Sequence, residues 1–232
     1  MLKVENLSSG YGTITILRDI SFEIGKGEII SIIGRNGVGK STLIKTLIGL
    51  IRPKTGKVTY DGRDITRMKP YERARLGIGY VPQGHGVFPL LTVRENLKMG
   101  EMINTAGTDK SLEIAYEYFP RLHERREQKA GTLSGGEQAM LSIARTLIGR
   151  PKLMMLDEPS EGIQPNLAFQ IGEIVKKCSE DMDISVIISE QHIGLIQTCA
   201  QKCYAVDKGI IVGELNGEEI QDYNCIKRYL TV

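Results

Sequence analysis

The sequence predicts an α/β fold: a parallel β-sheet with helices on both faces, an antiparallel β subdomain and an inserted α-helical subdomain. Three observations lead there. Short apolar runs at 28–34, 152–158 and 183–189 each give way to a stretch of helical periodicity, the rhythm of strands joined by crossover helices. Residues 1–27 and 55–62 read as antiparallel strand material, with KTGKVTYDG as a turn-and-strand unit. Residues 92–149 carry helical patterning and no convincing strand.

Each element has its own warrant. EIISIIG (28–34) is a compact β-branched run that stops at a glycine. In STLIKTLIGL (41–50), Leu43, Ile44, Leu47, Ile48 and Leu50 recur at helical spacing, which predicts a helix over the whole segment. Gln83, in GYVPQG, comes after a further predicted strand. TVRENLKMGEMI, DKSLEIAYEYF and GEQAMLSIARTLIG predict three consecutive helices between 92 and 149. KLMMLDE (152–158) is a buried strand, followed by a helix from Asn166 to about Glu180. DISVIIS (183–189) is another, followed by a helix from about His192 to Ala200. The chain is then one domain over 1–232: residues 1–84 and 150–232 form the core with its antiparallel subdomain, and 85–149 the helical insertion. RLHERREQKA (121–130) mixes charges of both signs and reads as a solvated face without chemistry.

Composition narrows the classes of function. Of the 232 residues, 41% are hydrophobic and 25% charged, as in an ordinary globular protein. A net charge of +2 is too small for a nucleic-acid footprint, and with no Trp and 6% aromatics no stacking platform is suggested. Cys178, Cys199, Cys203 and Cys225 complete no zinc set and read as free thiols of a reducing cytosol. The N-terminal MLKVENLSSG has no apolar core of a secretion signal, and the apolar runs stop far short of the roughly 20 residues of a membrane span.

Two segments carry phosphate chemistry. Gly34-Arg35-Asn36-Gly37-Val38-Gly39-Lys40-Ser41 fits G-x-x-x-x-G-K-[ST] and lies between a strand and a helix, the context this P-loop requires. Its glycines let backbone N–H groups wrap phosphates, and the helix start that runs on through Thr42 adds a favourable dipole. Lys40 supplies a point charge for the β- and γ-phosphates, and the Ser41 hydroxyl suits Mg²⁺. A glycine-rich turn could mimic the pattern, but not with this flanking structure. The apolar strand 153–156 ends in Asp157 and Glu158: alone, a helix cap; beside a P-loop, a Mg²⁺ carboxylate and a general base for an attacking water. Ser134-Gly135-Gly136-Glu137 forms a second anion-binding nest at a helix start. The two nests sit in different lobes, an arrangement that would let two protomers clamp one nucleotide.

At this point the sequence resembles the nucleotide-binding subunits of ABC transporters, over essentially the whole chain. LSGGE (133–137) resembles the ABC signature and lies between Lys40 and Asp157, the order of that family. The resemblance implies further roles. Gln83 matches the Q-loop residue that contacts Mg²⁺ and transmits to the membrane subunit, and Tyr11 the aromatic residue that stacks on adenine. At the end of VIISEQHIG the family's switch position falls on Gln191, not on His192, which is expected to start the next helix and pack locally. Glutamine can donate a hydrogen bond but cannot relay a proton. Gln164, within EPSEGIQPN, stands where many members carry the D-loop aspartate.

The finer resemblance is to importer subunits for branched-chain amino acids and related polar solutes, carried by GRNGVGKSTLIKTL, LSGGEQ-x-ML and the EGIQP wording, which is most similar to urea-type importer ATPases and makes urea the favoured solute. Membership implies two ATP molecules between two head-to-tail ATPase subunits, identical or homologous. It also implies two transmembrane permease subunits, a solute-binding protein, and a peripheral place on the cytoplasmic face of a prokaryotic inner or plasma membrane. Soluble repair-type ABC ATPases separate these motifs with long coiled coils that do not fit between Gln83 and Ser134. Translation-type members usually carry two such domains in one chain. A small-molecule P-loop kinase leaves LSGGEQ unexplained, and an exporter ATPase is disfavoured only by EGIQP.

Overall fold

The computed structural model of the protein describes residues 1–103 and 111–231; the start of the predicted helix DKSLEIAYEYF lies outside them. The strands are β1 (Leu2–Tyr11), β2 (Ile14–Ile24), β3 (Ile29–Ile33), β4 (Thr55–Tyr60), β5 (Arg63–Asp64), β6 (Ile78–Val81), β7 (Leu153–Asp157), β8 (Ser185–Glu190), β9 (Lys202–Asp207) and β10 (Ile210–Asn216). The helices are α1 (Lys40–Leu47), α2 (Pro70–Arg75), α3 (Val93–Glu101), α4 (Ser111–Tyr118), α5 (Pro120–Glu124), α6 (Gly135–Ile148), α7 (Pro165–Met182), α8 (Ile193–Cys199), α9 (Glu218–Gln221) and α10 (Tyr223–Leu230). One sheet has the order β2-β1-β4-β5 with antiparallel pairing; the other has the order β10-β9-β3-β8-β7-β6. In the second, every pairing is parallel except β9 with β10. The predicted fold class is what forms.

The central strands are apolar on both faces because both faces are covered. Alternate residues divide between two cores. Met154 and Leu156 of β7, with Val186 and Ile188 of β8, pack with α6 and α7 through Leu141, Ala144, Ile171 and Val175. Leu153 and Met155, with Ile187, Ile30 and Ile32, face α1 and the antiparallel sheet through Leu43, Ile44, Leu47, Leu7 and Ile20. Each such side chain contributes roughly 1.5–3 kcal/mol on burial, so a one-residue slip of β7 would move its apolar set from one core to the other. A third cluster joins Ile33, Ala205 and Leu215 to Ile196 of α8 and Ile226 of α10. Strands β9 and β10 and the last two helices were not anticipated.

One expectation is corrected. The helix predicted over 41–50 ends at Leu47, because Gly49 takes φ = 86° and turns the chain out of the helix. The Leu50 N–H reaches back to the Lys45 carbonyl (2.9 Å) and the Gly49 N–H to the Thr46 carbonyl (3.1 Å), a Schellman ending that leaves Leu50 exposed. The buried Arg73 guanidinium reinforces this end by donating to the carbonyls of Thr46 (3.0 Å) and Leu47 (2.5 Å).

Pairing also decides what gathers at the carboxyl edge of the parallel sheet, where ligands of open α/β sheets bind. Ile33 pairs with Glu190, and Asp157 with Ser189. The segments that follow β3, β7 and β8 therefore leave the sheet side by side. Among the described residues no helix is long and apolar enough to cross a membrane.

Candidate active site

The loop after β3 closes on Gly39, which precedes α1 with φ = 116°. A Cβ there would lie 2.9 Å from the Leu17 side chain in a backbone conformation that other residues rarely adopt, so glycine is required. No side chain caps the first turn of α1 and no acidic residue stands in it, which leaves its N–H groups and positive dipole end for an anion. Arg35, Asn36 and Gly37 are exposed at the tip of the loop, while Lys40 and Thr42 are buried beneath it and Val38 and Ser41 half-buried.

Lys40 is 3% exposed. Its Nζ donates to the carbonyls of Gly34 (2.8 Å) and Arg35 (3.0 Å) and sits 3.0 Å from Glu158 Oε1. Glu158 is the hub of the cluster. Gln83 Nε2 approaches its Oε2 at 3.4 Å; Gln191 Nε2 approaches its Oε1 at 3.3 Å and donates to Asn36 Oδ1 at 2.5 Å. Glu158 itself is held at φ = 49°, with its N–H on the Ser189 carbonyl at 2.9 Å. Beneath it the Ser41 hydroxyl donates to Asp157 Oδ1 (2.8 Å), as does the Ser189 hydroxyl (2.7 Å). Asp157 Oδ2 is buried without a hydrogen-bond partner. Buried carboxylate oxygens are normally satisfied, so this orphan, next to a serine hydroxyl, fits a hard cation that takes oxygen ligands.

The predicted residues thus fall into two groups. Gly34–Thr42, Gln83, Asp157, Glu158 and Gln191 converge. Ser134–Glu137 make their own network at the start of α6, and Tyr11 is exposed at the end of the β1–β2 hairpin. Ser134 caps α6: its hydroxyl donates to Glu137 Oε2 (2.8 Å) and accepts from the Glu137 N–H (3.4 Å). Partial burial would raise the Glu137 pKa, but hydrogen bonds from the Ser134 N–H and hydroxyl outweigh it and hold this carboxyl below its usual range. Arg125 Nε lies 3.0 Å from Glu137 Oε1. That corrects the reading of 121–130 as a chemically silent face: Arg125 braces the signature segment, while Leu122 and Ala130 are buried.

His192 is a cap. Its Nδ1 accepts the Leu195 N–H at the start of α8 (3.1 Å), and its ring meets Phe169 edge-on at 5.7 Å. His192→Ala is expected to lower stability by about 1 kcal/mol, the worth of an N-cap, in a denaturation midpoint, and to leave any nucleotide turnover within about twofold. Gln191→Ala, which removes the amide from Glu158, is expected to reduce turnover about tenfold or more. Equal losses in the two variants would sink this division.

His85, two residues beyond Gln83, is 7% exposed, and burial pushes its pKa below the ordinary value. A histidine with a depressed folded pKa binds more protons when unfolded, so its contribution weakens as pH falls through the unfolded value near 6.5. Thermal stability is expected to decline from about pH 7 to 5, and His85→Asn to flatten that slope.

Two participants were missed in the sequence: Ser189 and Arg125. Ser189 was within reach, since it is the polar residue near the end of a strand predicted to lie in the same parallel sheet as the one ending in Asp157.

Fold and site together define a P-loop nucleotide-binding protein. The family model described as ABC transporter matches residues 17–161. The chain belongs to the ABC transporter family, and as an ABC ATPase it is the ATP-binding subunit type. It is 42% identical to the high-affinity branched-chain amino acid transport ATP-binding protein BraG of Pseudomonas aeruginosa over 91% of each chain. It is 34% identical to the probable branched-chain amino acid transport ATP-binding protein LivF of Archaeoglobus fulgidus, over 96% of this chain and 95% of that one. The lipopolysaccharide export system ATP-binding protein LptB of Haemophilus influenzae is 31% identical, over 98% and 95%. Among solved structures, a nucleotide-free ATP-binding cassette from an ABC transporter superposes with a TM-score of 0.85 at 29% identity, over 100% of this chain and 99% of that chain.

Proposed function

We propose that the chain hydrolyses ATP to power an ABC importer for branched-chain amino acids or a related polar solute, urea included. The observation that carries the catalytic part is the single network joining Lys40, Glu158, Gln83 and Gln191 directly above Ser41 and Asp157. ATP phosphates lie on Gly34–Thr42, and Tyr11 stacks on adenine. Lys40 and the N–H groups of the loop stabilise charge on the transferred phosphoryl group. Glu158 takes the proton of the attacking water, and Gln191 holds Glu158 in place. Ser41, Asp157 and Gln83 would hold Mg²⁺, which when bound would supply positive charge against the phosphates. A second ATPase subunit, a copy of this chain or a homologue, offers its Ser134–Glu137 segment to the same ATP, so that 85–149 acts as the lobe that reaches across.

The permease side is supported by an apolar groove of about 700 Å³ lined by Leu50, Tyr71, Phe88, Met99, Met102 and Ile103. Large apolar side chains exposed in one patch mark an interaction surface. The groove adjoins the Gln83 segment: Arg145 donates to the Gly86 carbonyl (2.9 Å) and lies over the Phe88 ring at 5.1 Å. In this reading one of the two permease subunits docks on that groove, the other on the second ATPase subunit, with this chain peripheral on the cytoplasmic membrane face and a solute-binding protein opposite.

Branched-chain amino acid transport is supported by the likeness to BraG and LivF and import by the EGIQP resemblance; LptB keeps export as the second reading. The deciding experiment is reconstitution with the permease subunits and solute-binding protein, measuring ATPase against leucine and urea. Stimulation by one solute, dependent on the binding protein, identifies the cargo. ATPase indifferent to any binding protein and raised by a lipid substrate would overturn import.

A further inference from the structure

Glu190 ends β8 with its side chain buried, 3% exposed. Oε2 accepts hydrogen bonds from the Ser160 hydroxyl (2.7 Å) and N–H (3.3 Å). Oε1 accepts from the N–H groups of Gln191 (2.7 Å) and His192 (3.0 Å). Among the described residues no cation forms an ion pair with it. Burying a carboxylate against neutral donors is costly, and an apolar side chain would avoid that cost if packing alone were needed.

What the carboxylate alone provides is two accepting oxygens facing two different segments. Ser160 lies two residues beyond Glu158, in the turn that sets the Glu158 backbone at φ = 49°. On the other side, the fixed Gln191 N–H aims the Gln191 amide at Glu158 Oε1, 3.3 Å away. We propose that Glu190 is a positioning residue for ATP hydrolysis: it locks the Ser160 turn and the Gln191 backbone into one unit, so that Glu158 and Gln191 keep their mutual geometry. This inference rests on the reading that Glu158 and Gln191 act in hydrolysis.

Glu190→Gln tests it, because the amide keeps the shape but turns one acceptor into a donor facing donors. Turnover is measured in the assembled transporter, with ATP affinity from fluorescent-nucleotide titration. Glu190→Gln is expected to lower kcat about tenfold or more, the penalty of misplaced catalytic geometry, with affinity within about threefold. Ser160→Ala is expected to lower kcat in the same direction and to add nothing to Glu190→Gln, as residues acting as one unit do. Ser160→Thr, which keeps the hydroxyl, restores turnover. A Glu190→Gln enzyme within twofold of wild type overturns the proposal, as do losses that multiply in the double variant. Should Glu190→Gln not assemble, the serine pair decides: equal turnover for Ser160→Ala and Ser160→Thr overturns it. Gln191→Ala separates the two levels. Normal turnover there removes the underlying reading, whereas impaired Gln191→Ala beside normal Glu190→Gln removes only the role of Glu190.

Discussion

Glu158→Gln is expected to reduce ATP turnover by about a hundredfold or more, in line with the 10²–10⁴-fold worth of a general base, while ATP still binds. The amide fills the same space but keeps one accepting oxygen, so it can accept from Gln83 or from Gln191, whose Nε2 atoms lie 3.4 and 3.3 Å from the carboxylate, and not from both. It cannot accept a proton from water. It also removes a negative charge standing 3.0 Å from Lys40, where a γ-phosphate would otherwise meet like charge. ATP is therefore expected to bind at least as tightly, and in ATP and Mg²⁺ a two-subunit species should accumulate in size-exclusion chromatography. Near-normal turnover would remove Glu158 as the base. The backbone supports the assignment independently: a non-glycine residue at φ = 49° costs free energy and persists where surrounding structure enforces it, often at functional sites.

How much of this could be read beforehand depends on the range of the interaction. The P-loop, the carboxylates after β7 and the capping serine of α6 are local patterns, each within about eight residues, and local patterns are what a sequence displays. The parallel sheet was legible because β3, β7 and β8 are buried on both faces and are largely apolar, with Ser31 the one polar residue inside β3. Strands β9 and β10 alternate or carry charge: β10 has only Leu215 fully buried, so its pattern is too weak to stand out. The overlong reading of α1 came from treating Leu50 as periodic and missing that Gly49 could leave the helix. Glu190 was hidden for a different reason. Its role depends on strand order, since only adjacency of β7 and β8 brings Ser160 to within 2.7 Å of a residue 30 positions away. Motif reading likewise ranked His192 and Gln191 by family register, whereas the structure separates them by what each touches: a helix N–H for one, Glu158 for the other.

Lys40→Ala is expected to abolish measurable ATP binding and, separately, to destabilise the fold. An ammonium has three protons to donate. Two go to the carbonyls of Gly34 and Arg35 and the third faces Glu158, all at 2.8–3.0 Å. The carbonyl contacts hold the loop closed over Lys40, so the third N–H is the one a γ-phosphate competes for, and turning that hydrogen bond to the phosphate frees Glu158 to face water. Truncation at Ala leaves Glu158, 7% exposed, without its cation. Breaking a buried pair by removing one partner costs about 3–5 kcal/mol, and 1 kcal/mol moves Tm by roughly 2–4 °C in a chain of this size, so a drop of roughly 10 °C is expected by calorimetry. The double variant Lys40→Ala/Glu158→Gln removes the stranded charge and should recover part of that loss while remaining unable to bind ATP. A coupling of about 1–3 kcal/mol in this cycle would show that the lysine and the glutamate form one unit before phosphate arrives. Strictly additive Tm losses would show that they do not, and would leave Lys40 as a phosphate ligand alone.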